Sequence, residues 1–277
     1  MLPIHLALVS LTPSVNVGEV AQVSAALQKQ LTRDFGPLWT IAATIDAFAK
    51  LEDVPLSYWK ILVVDTFEHG GQHRDRNNQP YALVAAGTSW SLVASHEAME
   101  MLVDPFGNRL VAGDSPDSTH GRVEFLVEVC DPCQGDEFAY AVNSILVSDF
   151  YTPNYFDPVR ADGVRYSFRS AITSPRQILP GGYLTWREPT SGEYFQQNHF
   201  GSTPTIKNLG QLAPGNNSIR AMIDQLTPET RQLGRLPADR PSMRRASARR
   251  TAAEAAATAR ARELKADIDY QLGQPRD

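Results

Sequence analysis

The sequence predicts an α+β fold in which a mixed β-sheet lies against two helices and is followed by hairpins and loops. Over the first 105 residues, candidate elements occur in the order strand, helix, strand, strand, strand, helix. The 19 prolines among 277 residues indicate many connections rather than a helical bundle. A chain of this length can bury a large core. From residue 241 onward, alanine and arginine dominate and predict a helical tail.

The first strand and first helix are indicated by their apolar patterns. The opening MLPIHLALVSLTP is apolar but lacks the basic start and cleavage site of a signal peptide, so we expect a strand. Asn16 and Glu19 then have the spacing of a capping box. Apolar residues follow at helical spacing, namely Val20, Val23, Leu27 and Leu31. We expect Gly36 and Pro37 to end this helix.

Three more strands are expected before the second helix. Residues 38–49 and 58–67 are apolar runs, and the second run is typical of a strand buried on both faces. Residues 68–80 are polar and predict a loop, whereas residues 81–87 predict another strand.

The second helix carries the stretch ASHEAMEMLVDP, which contains the pattern H-E-x-x-E. Thr88 or Ser89 can cap this helix, and a proline at 105 must end it. Residues four apart lie on one helix face, so His96 and Glu100 can direct a nitrogen and a carboxylate oxygen at one point. Glu97 lies about 100° around the helix from His96. The spacing predicts a metal site with Glu97 left free to act on water.

The alternative is that these side chains belong to a solvated helix face. Apolar residues on both sides of the motif favour a buried helix, in which unpaired histidine and glutamate would be costly.

A catalytic zinc site requires a third protein ligand. Glu128 is our first candidate because residues 122–129 predict a strand that places this acid beside an apolar surface. Asp131, in the following turn, is the second candidate. Asp104 is rejected as a ligand because it lies about 12 Å along the helix axis from His96, and we expect it to contact a cation or orient a neighbouring group. Four histidines are weaker candidates, namely His69, His73, His120 and His199.

The two cysteines, Cys130 and Cys133, do not imply a disulfide framework. Their C-x-x-C spacing suits a redox pair or half of a zinc knuckle, but the chain lacks a second pair of cysteines. We expect reduced or incidentally paired thiols in a turn. An apolar run long enough to cross a membrane is also lacking, so we expect a cytoplasmic protein without membrane contact.

The second half of the chain predicts hairpins, then loops and short strands to residue 215, a linker at 216–240 and a helical tail at 241–277. The tail has few large apolar residues to bury, so we expect it to be solvated or to bind a partner protein. A net charge of −5 and the acidic residues within the tail argue against nucleic-acid binding.

The stretch SHEAME and the order of elements resemble the zincin-like metallopeptidases, in which a twisted sheet backs an active-site helix and an edge strand precedes that helix. The resemblance covers about the first 150 residues and departs from the common motif at Glu100, where zincins have histidine. The stretches SHEAMEMLVDP, EVCDP and VSDFYTPNYFDP also resemble a group of bacterial and phage-associated proteins that carries no assigned activity.

The zincin resemblance implies a peptidase domain at residues 1–215 that uses Zn²⁺ or another divalent metal to activate water, with Glu97 as general base. It also implies an oxyanion stabiliser, for which Tyr151, Tyr155 and Tyr183 are available and Tyr183 is selected. The strand at 81–87 would be the edge that aligns a peptide substrate. Because carboxylate at Glu100 lowers the Lewis acidity of the metal, the alternative is an inactive scaffold that binds partners through its tail.

Overall fold

The computed structural model describes residues 2–67, 70–213, 215 and 217–228, which form a mixed α+β protein. The first sheet contains five strands, namely β1 (Ile4–Ser10), β2 (Ala43–Phe48), β3 (Trp59–Val64), β4 (Gly71–Arg76) and β5 (Gln79–Ala85). Their order is β2-β1-β3-β5-β4. All neighbouring pairs are parallel except β4 and β5, which form an antiparallel hairpin at one edge.

The edge of this sheet differs from the predicted one. The segment predicted as a polar loop contains β4, and the strand predicted at 81–87 is the inner strand β5. Asn77 and Asn78 adopt φ angles of 53° and 60°, which suit a two-residue hairpin turn. The sequence does not indicate β4 as a strand because its residues are polar, although Gln72 and His73 are buried.

The first helix, α1 (Val17–Lys29), begins with the predicted capping box between Asn16 and Glu19. The prediction that Gly36 and Pro37 end the helix is wrong. The chain continues as a π-helical segment, Gln30–Phe35, and then as α2 (Gly36–Trp39). Pro37 lies in the first turn of α2, where its missing N–H costs no hydrogen bond, and Thr40 ends the helix in the left-handed conformation.

The motif helix, α3 (Trp90–Val103), has thirteen buried residues among its fourteen, as the sequence predicts. Ser89 precedes it at the N-cap, although its side chain makes no capping hydrogen bond. Both α1 and α3 contribute to the main core and pack against alternate residues of the parallel strands. These strand residues are Leu6, Leu8, Ile45, Ile61, Val63, Ala82 and Val84.

The second half of the described chain contains the predicted hairpins and short strands. They are β6 (Leu110–Asp114), β7 (Arg122–Leu126), β8 (Tyr140–Val142), β9 (Ile145–Val147), β10 (Tyr183–Arg187), β11 (Glu193–Asn198) and β12 (Thr205–Gln211). Strands β8 and β9 pair as a hairpin, and the others form an antiparallel sheet in the order β12-β11-β10-β7-β6.

The segment predicted as a linker contains a helix, α4 (Ile219–Leu226). Ile223 is buried against Leu126 and Tyr194. Gly107 lies so close to this helix that an added Cβ would stand 2.7 Å from the Arg220 Cβ. The loop after α3 therefore forms part of the seat of α4. Residues 229–277, including the predicted tail, lie outside the described residues.

A helix long and apolar enough to cross a membrane is absent from the described ranges.

Gly71 lets β4 pack directly on α3. A Cβ at this position would collide with the Val93 side chain and lie 2.6 Å from Glu97 Oε1. We expect Gly71→Ala to lower the free energy of unfolding by about 1–3 kcal/mol, the usual cost of overpacking. Gly121→Ala is the control because no heavy atom lies within 4 Å of the added Cβ. Denaturant unfolding that shows equal effects of the two substitutions would contradict this packing.

Asp149 is buried beyond β9, and burial raises the pKa of its carboxyl to about 6. The folded protein therefore holds this proton more tightly than the unfolded chain, and the contribution of Asp149 to stability falls as the pH rises from about 4 to above 6. We expect Asp149→Asn to gain stability relative to the wild type across this window, by up to about 3 kcal/mol.

Unfolding of both proteins at pH 4.5 and 7.5 measures this difference. Asp162→Asn is the control, because the Asp162 side chain is 94% exposed and is solvated in the folded and unfolded states alike. An Asp149→Asn effect that is equal at the two pH values would refute the prediction.

Candidate metal centre

One turn of α3 brings His96 and Glu100 together, and the chain after β7 adds Asp131. His96 Nε2 lies 3.1 Å from Glu100 Oε2 and 3.3 Å from Asp131 Oδ1. All three residues are at most 1% exposed. Ligand atoms that share one ion at about 2.0–2.2 Å are separated by similar distances. The four-residue spacing of His96 and Glu100 therefore directs their side chains at one point, as the sequence predicts.

Glu128 joins the cluster through its acidic neighbours. Glu100, Glu128 and Asp131 each offer one oxygen, and these oxygens lie within 4.8 Å of one another. His96 is not a member of that set. Of the two predicted third ligands, Asp131 is therefore the one placed beside the histidine, while Glu128 approaches Glu100.

Cys130 is a possible donor that the sequence treated as an incidental thiol. Its sulfur, a nitrogen of His96 and an oxygen of Glu100 also lie within 4.8 Å of one another. The backbone N–H of Cys130 donates to Glu100 Oε1 at 3.1 Å, which leaves Glu100 Oε2 facing His96. Cys130 and Cys133 are free and buried, and burial raises the pKa of both thiols well above the usual value.

His73, a weaker candidate in the sequence, reaches the cluster from β4. Its Nδ1 lies 3.4 Å from Glu97 Oε2 and 3.8 Å from Glu100 Oε2. Its Nε2 is 3.1 Å from the carbonyl oxygen of Asp104. A carbonyl only accepts hydrogen bonds, so Nε2 carries the proton that it donates to Asp104. His73 was only a weaker ligand candidate in the sequence because the residues of β4 have the polar composition of a loop.

Asp104 was expected to contact a cation or to orient a neighbouring group, and its contacts match the second alternative. Its carboxylate accepts hydrogen bonds from the backbone N–H groups of Asn108 and Arg109, at 3.0 and 2.8 Å. These bonds fix the loop that follows α3 rather than binding a cation. The carbonyl of Asp104 orients His73, so the residue still acts on a neighbour of the site.

Two of the remaining histidine candidates, His120 and His199, are not part of these groups. His120 contacts the ring of Phe195, with ring centroids 4.4 Å apart. His199 lies after β11, where its backbone exchanges hydrogen bonds with Gly181 and Gly182. His69 lies outside the described residues.

Arg220 enters the cluster from α4. Its guanidinium donates to Asp131 Oδ2 at 2.6 Å and to the Tyr183 hydroxyl at 2.8 Å. Its Nε lies 3.3 Å from Asp224 Oδ1 and 3.9 Å from Glu128 Oε1. The sequence missed Arg220 because the segment that carries it resembles a linker, and its approach to the acids depends on tertiary packing.

Tyr183 is the one of the three tyrosine candidates that contacts Arg220. Its oxygen accepts from the guanidinium, so its own proton is free to donate to another group. Tyr151 and Tyr155 stack on each other in the core, with ring centroids 4.3 Å apart.

The site contains more buried acid than its cations can neutralise. Six carboxyl residues are at most 5% exposed, namely Glu97, Glu100, Asp104, Glu128, Asp131 and Asp224. Arg220 supplies one permanent positive charge and the two histidines supply at most two more. Such an excess is costly in a low-dielectric interior unless protons or cations reduce it.

Protons reduce part of this excess. Burial lowers the pKa of His96, but the carboxylates of Glu100 and Asp131 outweigh burial and raise this pKa well above its usual value. Burial raises the pKa of Glu128 well above its usual value, and Arg220 opposes this only in part. His96 protonated and Glu128 neutral are therefore the favoured forms of the free protein, and a bound cation would displace both protons.

Several buried atoms converge without hydrogen-bond partners among the described residues. They are His96 Nε2, Glu100 Oε2, Asp131 Oδ1 and both oxygens of Glu128. His96 Nε2 lies within ion-pair distance of two of these oxygens without a hydrogen bond to either. One imidazole nitrogen and several carboxylate oxygens suit Zn²⁺ or another divalent ion. The donor set therefore fits the metal that the motif predicts.

Comparison of the chain with family models, with curated proteins and with solved structures gives no match. The geometry and chemistry of this buried cluster are therefore the features that indicate a function.

Proposed function

We propose that the protein is a metal-dependent hydrolase, specifically a zincin-like peptidase. The observation that carries the proposal is the convergence of unpartnered donor atoms from His96, Glu100 and Asp131 at one buried place on the motif helix. His96 and Glu100 hold the ion, and Asp131 or Glu128 provides the third ligand. A histidine and several carboxylates buried at one place are costly unless protons or a metal ion compensate their charge.

The arrangement of the first sheet supports the zincin part of the proposal. An antiparallel strand, β4, forms the sheet edge beside α3, and α3 follows the hairpin of β4 and β5 directly in the chain. This is the relation of edge strand and active-site helix that the sequence resemblance implies. The edge is β4 rather than residues 81–87.

Glu97 is placed to move the proton of the reaction. If a divalent ion is held by this cluster, it would supply Lewis-acid activation of water and of the substrate carbonyl. Glu97 lies one position after His96, and its Oε2 stands 3.4 Å from His73 Nδ1, which holds the carboxylate in place. The carboxylate accepts the proton of the attacking water and returns it to the leaving amine.

Tyr183 and β4 complete the proposed machinery. Because the Tyr183 oxygen accepts from Arg220, its proton can stabilise the oxyanion that forms on the scissile carbonyl. The outer backbone groups of β4 can pair with an extended peptide. A cavity of about 270 Å³ between β4 and α4, lined by Gln72, Arg74 and Asp224 among others, lies next to this edge.

A second candidate function is a scaffold of the same fold that binds partners without catalysis. It is favoured by Arg220, which already pairs with Asp131, and by Glu100, whose negative charge lowers the Lewis acidity of a bound metal. In this alternative the tail, which lies outside the described residues, provides the contact with a partner protein.

Removal of His96 tests the metal centre. We expect the protein purified without added metal to contain a divalent ion, and His96→Gln to bind Zn²⁺ at least about 100-fold more weakly because it removes a direct ligand. His5→Gln is the matched control, since His5 lies on β1 and contacts Thr44. Elemental analysis and a Zn²⁺ titration make the measurement, and equal affinity of the two variants would exclude His96 as a ligand.

Glu97→Gln tests catalysis. The amide keeps the shape of the side chain but cannot accept the proton, so the turnover of a cleaved peptide should fall by about 10²–10⁴-fold while metal content is retained. Glu124→Gln is the control, because Glu124 is an acid on β7 that pairs with Arg187 at 3.0 Å. Metal content and cleavage rate are measured on the same preparations.

Undiminished cleavage by Glu97→Gln would reject Glu97 as the base. Metal binding without cleavage of any member of a broad peptide library would favour the scaffold instead.

A further inference from the structure

We propose that Arg220 is a built-in competitor for the divalent ion, and that α4 is the element that inserts it into the site and withdraws it. This inference concerns the regulation of the site and rests on the proposed function, because it requires that the cluster binds an ion.

The guanidinium occupies the acidic side of the cluster. It contacts Asp131 at 2.6 Å and lies 3.9 Å from Glu128, so it engages both carboxylates that were predicted to provide the third ligand. A guanidinium keeps its charge at all physiological pH values and cannot be neutralised by deprotonation. Arg220 and a divalent ion therefore seek the same carboxylates and repel each other across a distance of a few ångströms.

Glu100 and His96 lie on the other part of the same cluster and are bound by no described guanidinium. Asp131 connects the two parts, since its Oδ1 faces His96 while its Oδ2 accepts from Arg220. Asp131 can bind the ion through Oδ1 alone while Arg220 holds Oδ2, but the guanidinium charge then opposes the ion, and both oxygens become available only when Arg220 leaves. The contact between Arg220 and Asp131 is thus the point at which binding of the ion and docking of α4 compete.

The seat of α4 is small enough for the helix to move. Of its eight residues only Ile223 and Asp224 are buried, and Ile219 is the one further apolar side chain of the helix that packs, partly buried, on the same cluster. Polar contacts also hold the helix, such as the hydrogen bond from the Arg220 N–H to the Gly107 carbonyl. A helix of eight residues is too short to be stable alone, so it depends on this docking.

Withdrawal of α4 also changes access to the site. The cavity of about 270 Å³ has one wall from β4 and Tyr81 and another from α4, including Ala221 and Asp224. The Gln72 side chain bridges the two walls by donating to Asp224. With α4 withdrawn, the cavity opens beside the edge of β4 where an extended peptide would pair. Ion binding and α4 undocking therefore favour each other, and this coupling is reciprocal.

Zn²⁺ titrations of the full-length chain against a competing chelator test the inference. We expect Arg220→Gln to bind Zn²⁺ at least about tenfold more tightly than the wild type, because it removes a positive charge from the ligands. Arg220→Lys keeps the charge and should remain within a few-fold of the wild type. Arg187→Gln, which removes an arginine paired with Glu124, is the control and should leave affinity unchanged.

The direction of the change decides between competition and support. Unchanged or weaker binding by Arg220→Gln would overturn the inference, because Arg220 would then be irrelevant or would hold the ligands in place. In that result the proposed function still stands as long as the wild type binds Zn²⁺. If neither the wild type nor Arg220→Gln binds Zn²⁺, both the inference and the proposed metal centre are wrong.

Two further measurements hold even if Arg220→Gln does not fold. In the wild-type chain, the amides of residues 219–226 should exchange hydrogen faster when Zn²⁺ is bound, because ion binding favours the undocked helix. Ile223→Ala weakens the apolar seat of α4 and should tighten Zn²⁺ binding. Slower or unchanged exchange, or weaker binding by Ile223→Ala, would refute the competition.

Discussion

The burial of acid around one turn of α3 is the constraint on which the rest of the site depends. Glu97 and Glu100 lie on a helix that is buried on almost every side, so neither carboxylate can turn to solvent. Two neighbouring elements each contribute a side chain that compensates this charge. Strand β4 contributes His73, and helix α4 contributes Arg220. The chain beyond β7 adds two more acids, Glu128 and Asp131, which increase the excess of buried negative charge that a cation would reduce.

The sequence predicts the parts of this site that depend on local geometry. The capping box of α1, the buried motif helix and the one-turn spacing of His96 and Glu100 follow from neighbours within a few residues. Strand β4 was missed because a polar strand lacks the apolar alternation that marks a strand, although it is held by its hairpin with β5. Arg220 was missed because the acids of the cluster that it contacts, Asp131 and Glu128, lie about 90 residues away in the chain.

Glu100 stands where the motif that the sequence resembles has histidine. This difference changes both the charge of the site and the Lewis acidity that a bound ion would have. A histidine at position 100 would leave the site less acidic, whereas the carboxylate of Glu100 adds to an excess of negative charge that already includes Glu97 and Asp131. The added charge strengthens attraction for a divalent ion but reduces the ion's power to polarise a substrate. Metal binding and peptidase activity are consequently separate questions for the proposed enzyme, in which His73 lies beside the proposed base Glu97.

Two sources of positive charge can satisfy these acids, and they differ in how they depend on conditions. Arg220 is part of the chain and is present at a fixed geometry whenever α4 is docked, whereas a divalent ion binds according to its concentration. A protein whose only compensation is a metal unfolds when the metal is removed, as small zinc domains do. Here the guanidinium and the protons favoured on His96 and Glu128 compensate part of this charge without an ion. In the proposed metal centre the ion would therefore reduce the remaining excess without being the only compensation, so the fold would depend on the ion less than a small zinc domain does.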